Sequence, residues 1–140
     1  VRAVFDANVY ISAALCPEGI PGQLLAFFLS DHPPFEIIVS PAIMDEVKRA
    51  FGYSRVRRYL KQPVDEWLDD ILLLADLVED TNTAERIADD PDDDKYLLAA
   101  TSGRATVIVT GDDDLLRLKH YEGVRILSPR DFLGLLARKR

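Results

Sequence analysis

Cysteine is nearly absent, with one residue, Cys16, in a chain of 140. A single thiol excludes an internal disulfide and suits a reducing compartment, so the expectation is a cytoplasmic protein in which Cys16, in "LCPEG", has no chemical part. Histidine is almost as scarce. His32 and His120 lie far apart in turn-like contexts, and one cysteine cannot complete a tetrahedral zinc site with them. No apolar run approaches the roughly 20 residues that cross a bilayer, and no basic segment followed by a long apolar one opens the chain. The expectation is therefore a soluble protein without a membrane partner. The chain opens on Val1 without a methionine, and a few preceding residues are expected. Positive charge is also in deficit. Seventeen Lys and Arg against 24 Asp and Glu give a net charge of -7, which argues against a protein that grips nucleic acid with its whole surface. Any polyanion must meet a local basic patch.

What the chain does have is apolar residues, 48% of the total, enough to bury a core in one domain spanning residues 1–140. "AVF" (3–5) reads as a buried strand ending at Asp6, and "EIIVS", "ATVIVT" and "VRIL" read as further strands. "NVYISAAL" and "GQLLAFFLS" read as helices separated by the breaker "CPEGIPG". "SPAIMDEVKRAF" starts a helix with Ser40 as cap and Pro41 at the first helical position. "YSRVRRYLK" is a second helical region. "PVDEWLDDILLLADLVE" gives a helix with Trp67, Leu68, Ile71, Leu72 and Ala75 inward, then a short strand near Leu77 and Val78. "DKYLLAATSG" is a helix stopped by Gly103, "DDDLLRL" a short one, and "SPRDFLGLLARKR" a proline-initiated one. Strands too apolar to alternate, separated by helices, indicate an α/β fold with a parallel sheet covered on both faces.

In such a sheet, groups at the carboxyl ends of the strands face one edge, where ligands bind. Asp6 follows the first strand, Asp112 lies just past "TVIVT", Glu46 stands on the helix leaving "EIIVS", and Asp94 opens the helix leading into "TVIVT". Each acid alone has a plain explanation: a turn former, a helix cap, a solvated surface charge. Their joint placement does not. Two unit charges about 4 Å apart repel by about 4 kcal/mol at an effective dielectric near 20, so converging carboxylates must take up protons or cations. Hard divalent ions suit oxygen ligands, and Mg²⁺ needs few carboxylates because it keeps most of its waters. One or two such ions would support phosphodiester hydrolysis.

"VFDANVYISAAL", "SPAIMDEV", "DPDDDKYLLAA" and "VIVTGDDDLL", in this order, resemble the PIN domain family, in particular its branch of toxins from toxin-antitoxin systems. The resemblance covers essentially the whole chain. It implies a three-layer α/β/α domain with a central parallel β-sheet and a ribonuclease that depends on Mg²⁺ or Mn²⁺. By position, Asp6 looks like the first metal-binding acid with Asn8 supporting it, and Glu46 like the acid after the second strand. Asp94 looks like the third, with Asp93 its nearest rival, and Asp112 like the fourth, with Thr110 beside it and Asp114 a substitute. Around them, Asp92 or Asp93 is expected to cap the helix, and Asp89 and Asp90 to be solvated. The resemblance implies that Asp6, Asp94 and Asp112 hold a metal while Glu46 binds a second ion or orients water. It also implies a small antitoxin protein entering the acidic site, and a homodimer.

The RNA substrate needs cations, and Arg55, Arg57, Arg58 and Lys61 cluster in "SRVRRYLK", with Tyr53 and Tyr59 interleaved for base stacking. The plain alternative is a solvated helix face. Arg117 with Lys119, and Arg138 to Arg140, are weaker candidates. The main rival function is a PIN-like module that binds RNA or protein without cutting. A receiver-like domain fits the acids poorly, since two of them come from helices, and a haloacid-dehalogenase-like phosphatase would want an aspartate where Asn8 stands.

Overall fold

The computed structural model describes residues 1–80 and 93–138. Its sheet is built around the most apolar short runs. β1 (Arg2–Phe5), β2 (Glu36–Val39) and β4 (Val107–Val109) are buried along almost their full length, while β6 (Val124–Leu127) and the two-residue strands β3 (Asp76–Leu77) and β5 (His120–Tyr121) lie further out. The strand order is β3-β2-β1-β4-β6-β5. All neighbours pair in parallel except β5 with β6.

The helices join these strands as the sequence suggests, with two revisions. α1 (Ala7–Leu15) and α2 (Ile20–Phe28) link β1 to β2, and α2 begins earlier than expected because Pro21 fits its first turn. α3 (Pro41–Phe51) starts under a working cap, the Ser40 Oγ accepting from the Ile43 N–H at 3.3 Å. The region "YSRVRRYLK" forms only one helical turn, α4 (Ser54–Arg57), with Val56 its one buried side chain. Without an apolar stripe, a longer helix there has no packing to sustain it. α5 (Asp65–Leu74) buries Leu68 and Ile71, while Trp67, Leu72 and Ala75 are half-buried. α6 (Asp94–Ser102), α7 (Asp113–Leu118) and α8 (Pro129–Arg138) complete the chain. The β5–β6 hairpin was not foreseen. Its two-residue turn, Glu122–Gly123, has positive φ at both positions, the geometry that fits the twist of paired strands. The sheet is thus mostly, not wholly, parallel.

Pleating assigns the layers. Phe5 faces an aromatic cluster with Tyr10, Phe28 by way of Phe35, and Phe132, with the Phe5 and Phe35 rings 5.6 Å apart, so α1, α2 and α8 cover that face. Ile38 sits in register with Val4, whose side chain points to the other face. There Gly103 at the end of α6 approaches so closely that an added Cβ would lie 2.7 Å from Ile38 Cγ2. Helices therefore lie on both faces, in three α/β/α layers. Among the described residues no single helix is long and apolar enough to cross a membrane.

Candidate active site

The winding direction reverses at the centre of the sheet. From β1 the chain moves outward to β2 and β3, then returns through α6 to β4 on the other side of β1. That switch point is where open α/β sheets form clefts. The residues leaving β1 and β4 there are Asp6 and Thr110. The Asp6 N–H donates to the Val109 carbonyl at 2.9 Å, extending the ladder by one residue and setting the two side chains next to each other.

Thr110 is fully buried, and its hydroxyl donates to Asp6 Oδ2 at 2.7 Å. The Thr110 Oγ1 also accepts from the Asp112 N–H at 3.0 Å. Asp6 Oδ1 caps α1 by accepting from the Asn8 N–H at 3.3 Å, and Asp112 Oδ1 caps α7 by accepting from the Asp114 N–H at 3.1 Å. The cap reading and the site reading of these acids are thus compatible, because capping uses one carboxylate oxygen. Asn8 supports Asp6 through its backbone, with its side chain exposed. Asp114 is paired with Arg117.

Glu46 reaches the same edge from α3. Its Oε2 accepts from the Tyr96 hydroxyl at 2.7 Å and from Lys95 Nζ at 2.6 Å. The Tyr96 oxygen in turn accepts from the Ala7 N–H at 3.2 Å, which ties Glu46 to the first turn of α1 beside Asp6. Sequence reasoning missed both Lys95 and Tyr96. A signal existed: a lysine in the first turn of a helix opposes the helix dipole and implies an acidic partner, and a tyrosine in a buried apolar run needs a partner for its hydroxyl.

Asp94 is the first residue of α6 and half-buried. Asp93 occupies the cap position but makes no side-chain capping bond, and only 6% of its surface is exposed. The capping expectation for Asp93 is thereby corrected: its backbone is already helical, not in the extended form that a capping residue usually adopts. Asp89, Asp90 and Asp92 lie outside the described residues.

Burial raises the Asp6 carboxyl above its ordinary value of 3.8; the bonds from Thr110 and Asn8 oppose the rise, and the nearby Glu46 charge adds to it. Burial, reinforced by Asp6, also pushes the Tyr96 hydroxyl well up, so it stays protonated and donates. Among the described residues no three acids, histidines or cysteines already form a metal cage. The donors fit a hard cation nonetheless. They are oxygens, and a buried carboxylate that resists its own charge is relieved by a cation held through one or two carboxylates with water completing its shell.

A family model for the PIN domain matches residues 2–114, a span that contains all four acids. The chain belongs to the PIN domain family. An uncharacterized protein from Methanocaldococcus jannaschii is 31% identical over 144 residues, 95% of this chain and 90% of that protein. PIN membership makes this a nuclease-type module; most of α7, the β5–β6 hairpin and α8 lie beyond the matched span.

The four cations expected to touch RNA differ in their surroundings in this PIN domain. Arg57 and Lys61 line a common cavity at the end of α3. Arg55 lies over the Tyr53 ring, 5.7 Å from its centroid. Arg58 is the exposed residue that ends α4.

Proposed function

We propose that this PIN domain is a divalent-metal-dependent ribonuclease that hydrolyses RNA phosphodiester bonds. The observation that carries the reading is the linked edge Asp112–Thr110–Asp6 beside Ala7–Tyr96–Glu46, which gathers residues from β1, β4, α3 and α6 at one switch point. Asp6, Asp94 and Asp112 would hold Mg²⁺ or Mn²⁺. When bound, such an ion makes a water more acidic and neutralises charge on the phosphate. Thr110 keeps Asp6 Oδ2 fixed. Tyr96 and Lys95 fix Glu46 Oε2, leaving Oε1 to accept a hydrogen bond from the water that attacks phosphorus in line. Basic residues beyond the end of α3 hold the strand.

The biological setting we propose is that of a toxin held by a small antitoxin. An arginine-bearing segment of such a partner would pair bidentately with the half-buried carboxylates of this edge, and a second copy of the chain would form a homodimer. One observation favours a second reading, a PIN-like module that binds RNA or protein without cutting. Lys95 already neutralises Glu46 with an internal cation. Cleavage assays separate the two. Purified protein on RNA and single-stranded DNA should cut RNA in Mg²⁺ or Mn²⁺ and stop in chelator, with any copurifying small protein identified. RNA left intact in both metals would overturn the nuclease and leave the binding module.

A further inference from the structure

A hollow of about 800 Å³ lies between the end of α3, α4 and the start of α5. Its size is that of pockets that enclose a small organic ligand. Lys48 comes from α3, Arg57 from α4 and Lys61 from the segment after it; Asp65 and Asp69 come from α5, and Phe51, Leu60 and Leu68 supply apolar side chains. Among the described residues none of the three cations makes an ion pair or a side-chain hydrogen bond. Asp65 and Asp69 line the same cavity yet pair with none of them. Three unsatisfied cations beside apolar side chains match a ligand with an anionic part and a flat apolar part.

We propose that this cavity is a nucleotide subsite, in which Lys48, Arg57 and Lys61 hold the phosphates of single-stranded RNA and the apolar side chains receive a base. This rests on the ribonuclease reading and adds to it where the strand runs. Glu46 and Phe51 are five residues apart on α3, about 7.5 Å of helical rise, so α3 itself measures the path from the acidic edge to the cavity. The α5 carboxylates repel phosphate and turn the strand so that its charged side meets the cations. Arg55 and Arg58, assigned to RNA by sequence alone, play no part in the subsite.

The test is binding of a short fluorescent single-stranded oligoribonucleotide to the full chain in chelator, where no metal-dependent cutting occurs. Lys48→Ala combined with Lys61→Ala should weaken binding about tenfold, since two solvent-exposed ion pairs with phosphate go. It should also reduce the slope of log affinity against log salt by about 1.4, at roughly 0.7 per phosphate contact. Arg55→Ala combined with Arg58→Ala should change neither by as much. Unchanged binding in the Lys48, Lys61 variant would overturn the subsite, and so would a poly-glutamate peptide that binds the parent as tightly and loses as much. Cleavage by the parent is measured separately in Mn²⁺. Cutting with no effect of Lys48 and Lys61 removes the cavity and keeps the nuclease; metal-independent binding that needs them, without cutting, keeps the cavity and removes the nuclease.

Discussion

Glu46 and Lys48 stand two residues apart on α3 and belong to opposite kinds of surface. Glu46 is held by Lys95 and Tyr96, in a network that also reaches the Ala7 amide. Lys48 faces the cavity at the end of the helix with no ion pair among the described residues. The acidic edge is built from groups that satisfy one another before any ligand arrives, many of them on the backbone or buried. The basic side is left unsatisfied and solvated. A centre that must place a reacting water needs fixed groups, whereas a surface that takes successive phosphates gains from long, adaptable cations.

The strongest way to break this comparison is Asp6→Asn. Loss of one anchoring carboxylate should lower RNA cleavage by about 10²–10³-fold, a few kcal/mol of transition-state stabilisation, and should abolish tight Mn²⁺ binding in calorimetry. Undiminished cleavage would take the acidic edge out of the reaction.

Thr110→Val comes next. Its hydroxyl serves both Asp6 Oδ2 and the Asp112 amide, so urea denaturation should register a loss of about 1–3 kcal/mol from groups left unpaired. Arg57→Ala on the basic side should stay within about 0.5 kcal/mol of the parent. Equal losses at the two positions would erase the distinction between a fixed and an adaptable surface.

A gentler probe is pH. The Asp6 carboxyl is raised from 3.8 in the folded chain, chiefly by burial. As pH rises from the ordinary carboxylate range, the unfolded chain gives up this proton first. The native state then binds more protons, and stability falls until the raised value is passed. Metal-free melting curves of the parent should therefore lose ground to Asp6→Asn with rising pH. At neutral pH, Mg²⁺ at 100 times its dissociation constant should return about 2.7 kcal/mol to the parent alone. A parent that instead gains on the variant as pH rises would contradict a buried, charge-resisting Asp6.

Arg117→Ala should have the smallest effect. Arg117 pairs with Asp114 at an exposed position on α7, and such pairs are worth about 0–1 kcal/mol. A change in cleavage beyond twofold would give Asp114 the part that Asp112 is assigned.

Much of the fold was legible because its signals are local. Apolar runs, the Ser40–Pro41 start of α3 and the Gly103 stop each act within one turn of chain, and they recover β1, β2, β4, β6 and most helices. The failures are local too. α4 carries helix-forming residues without a stripe to bury, and β5 is two residues long, too short for any periodicity. At the site, the sequence displayed the acids but not their restraints. Tyr96 and Glu46 are 50 residues apart, and Thr110 and Asp6 are 104 apart. No spacing along the chain reports such pairs.

The sequence by itself determined the chemistry: oxygen donors in excess, almost no sulfur or imidazole, and strands alternating with helices, because side-chain type and local periodicity are properties of short segments. Only the tertiary structure decided which donors meet and which cations stay unpaired. Adjacency of β1 and β4 sets Thr110 against Asp6, and the packing of α3 against α6 sets Lys95 and Tyr96 on Glu46 while leaving Lys48, Arg57 and Lys61 around a cavity. Those outcomes follow from how distant segments bury their apolar faces together, which no stretch of the chain encodes alone.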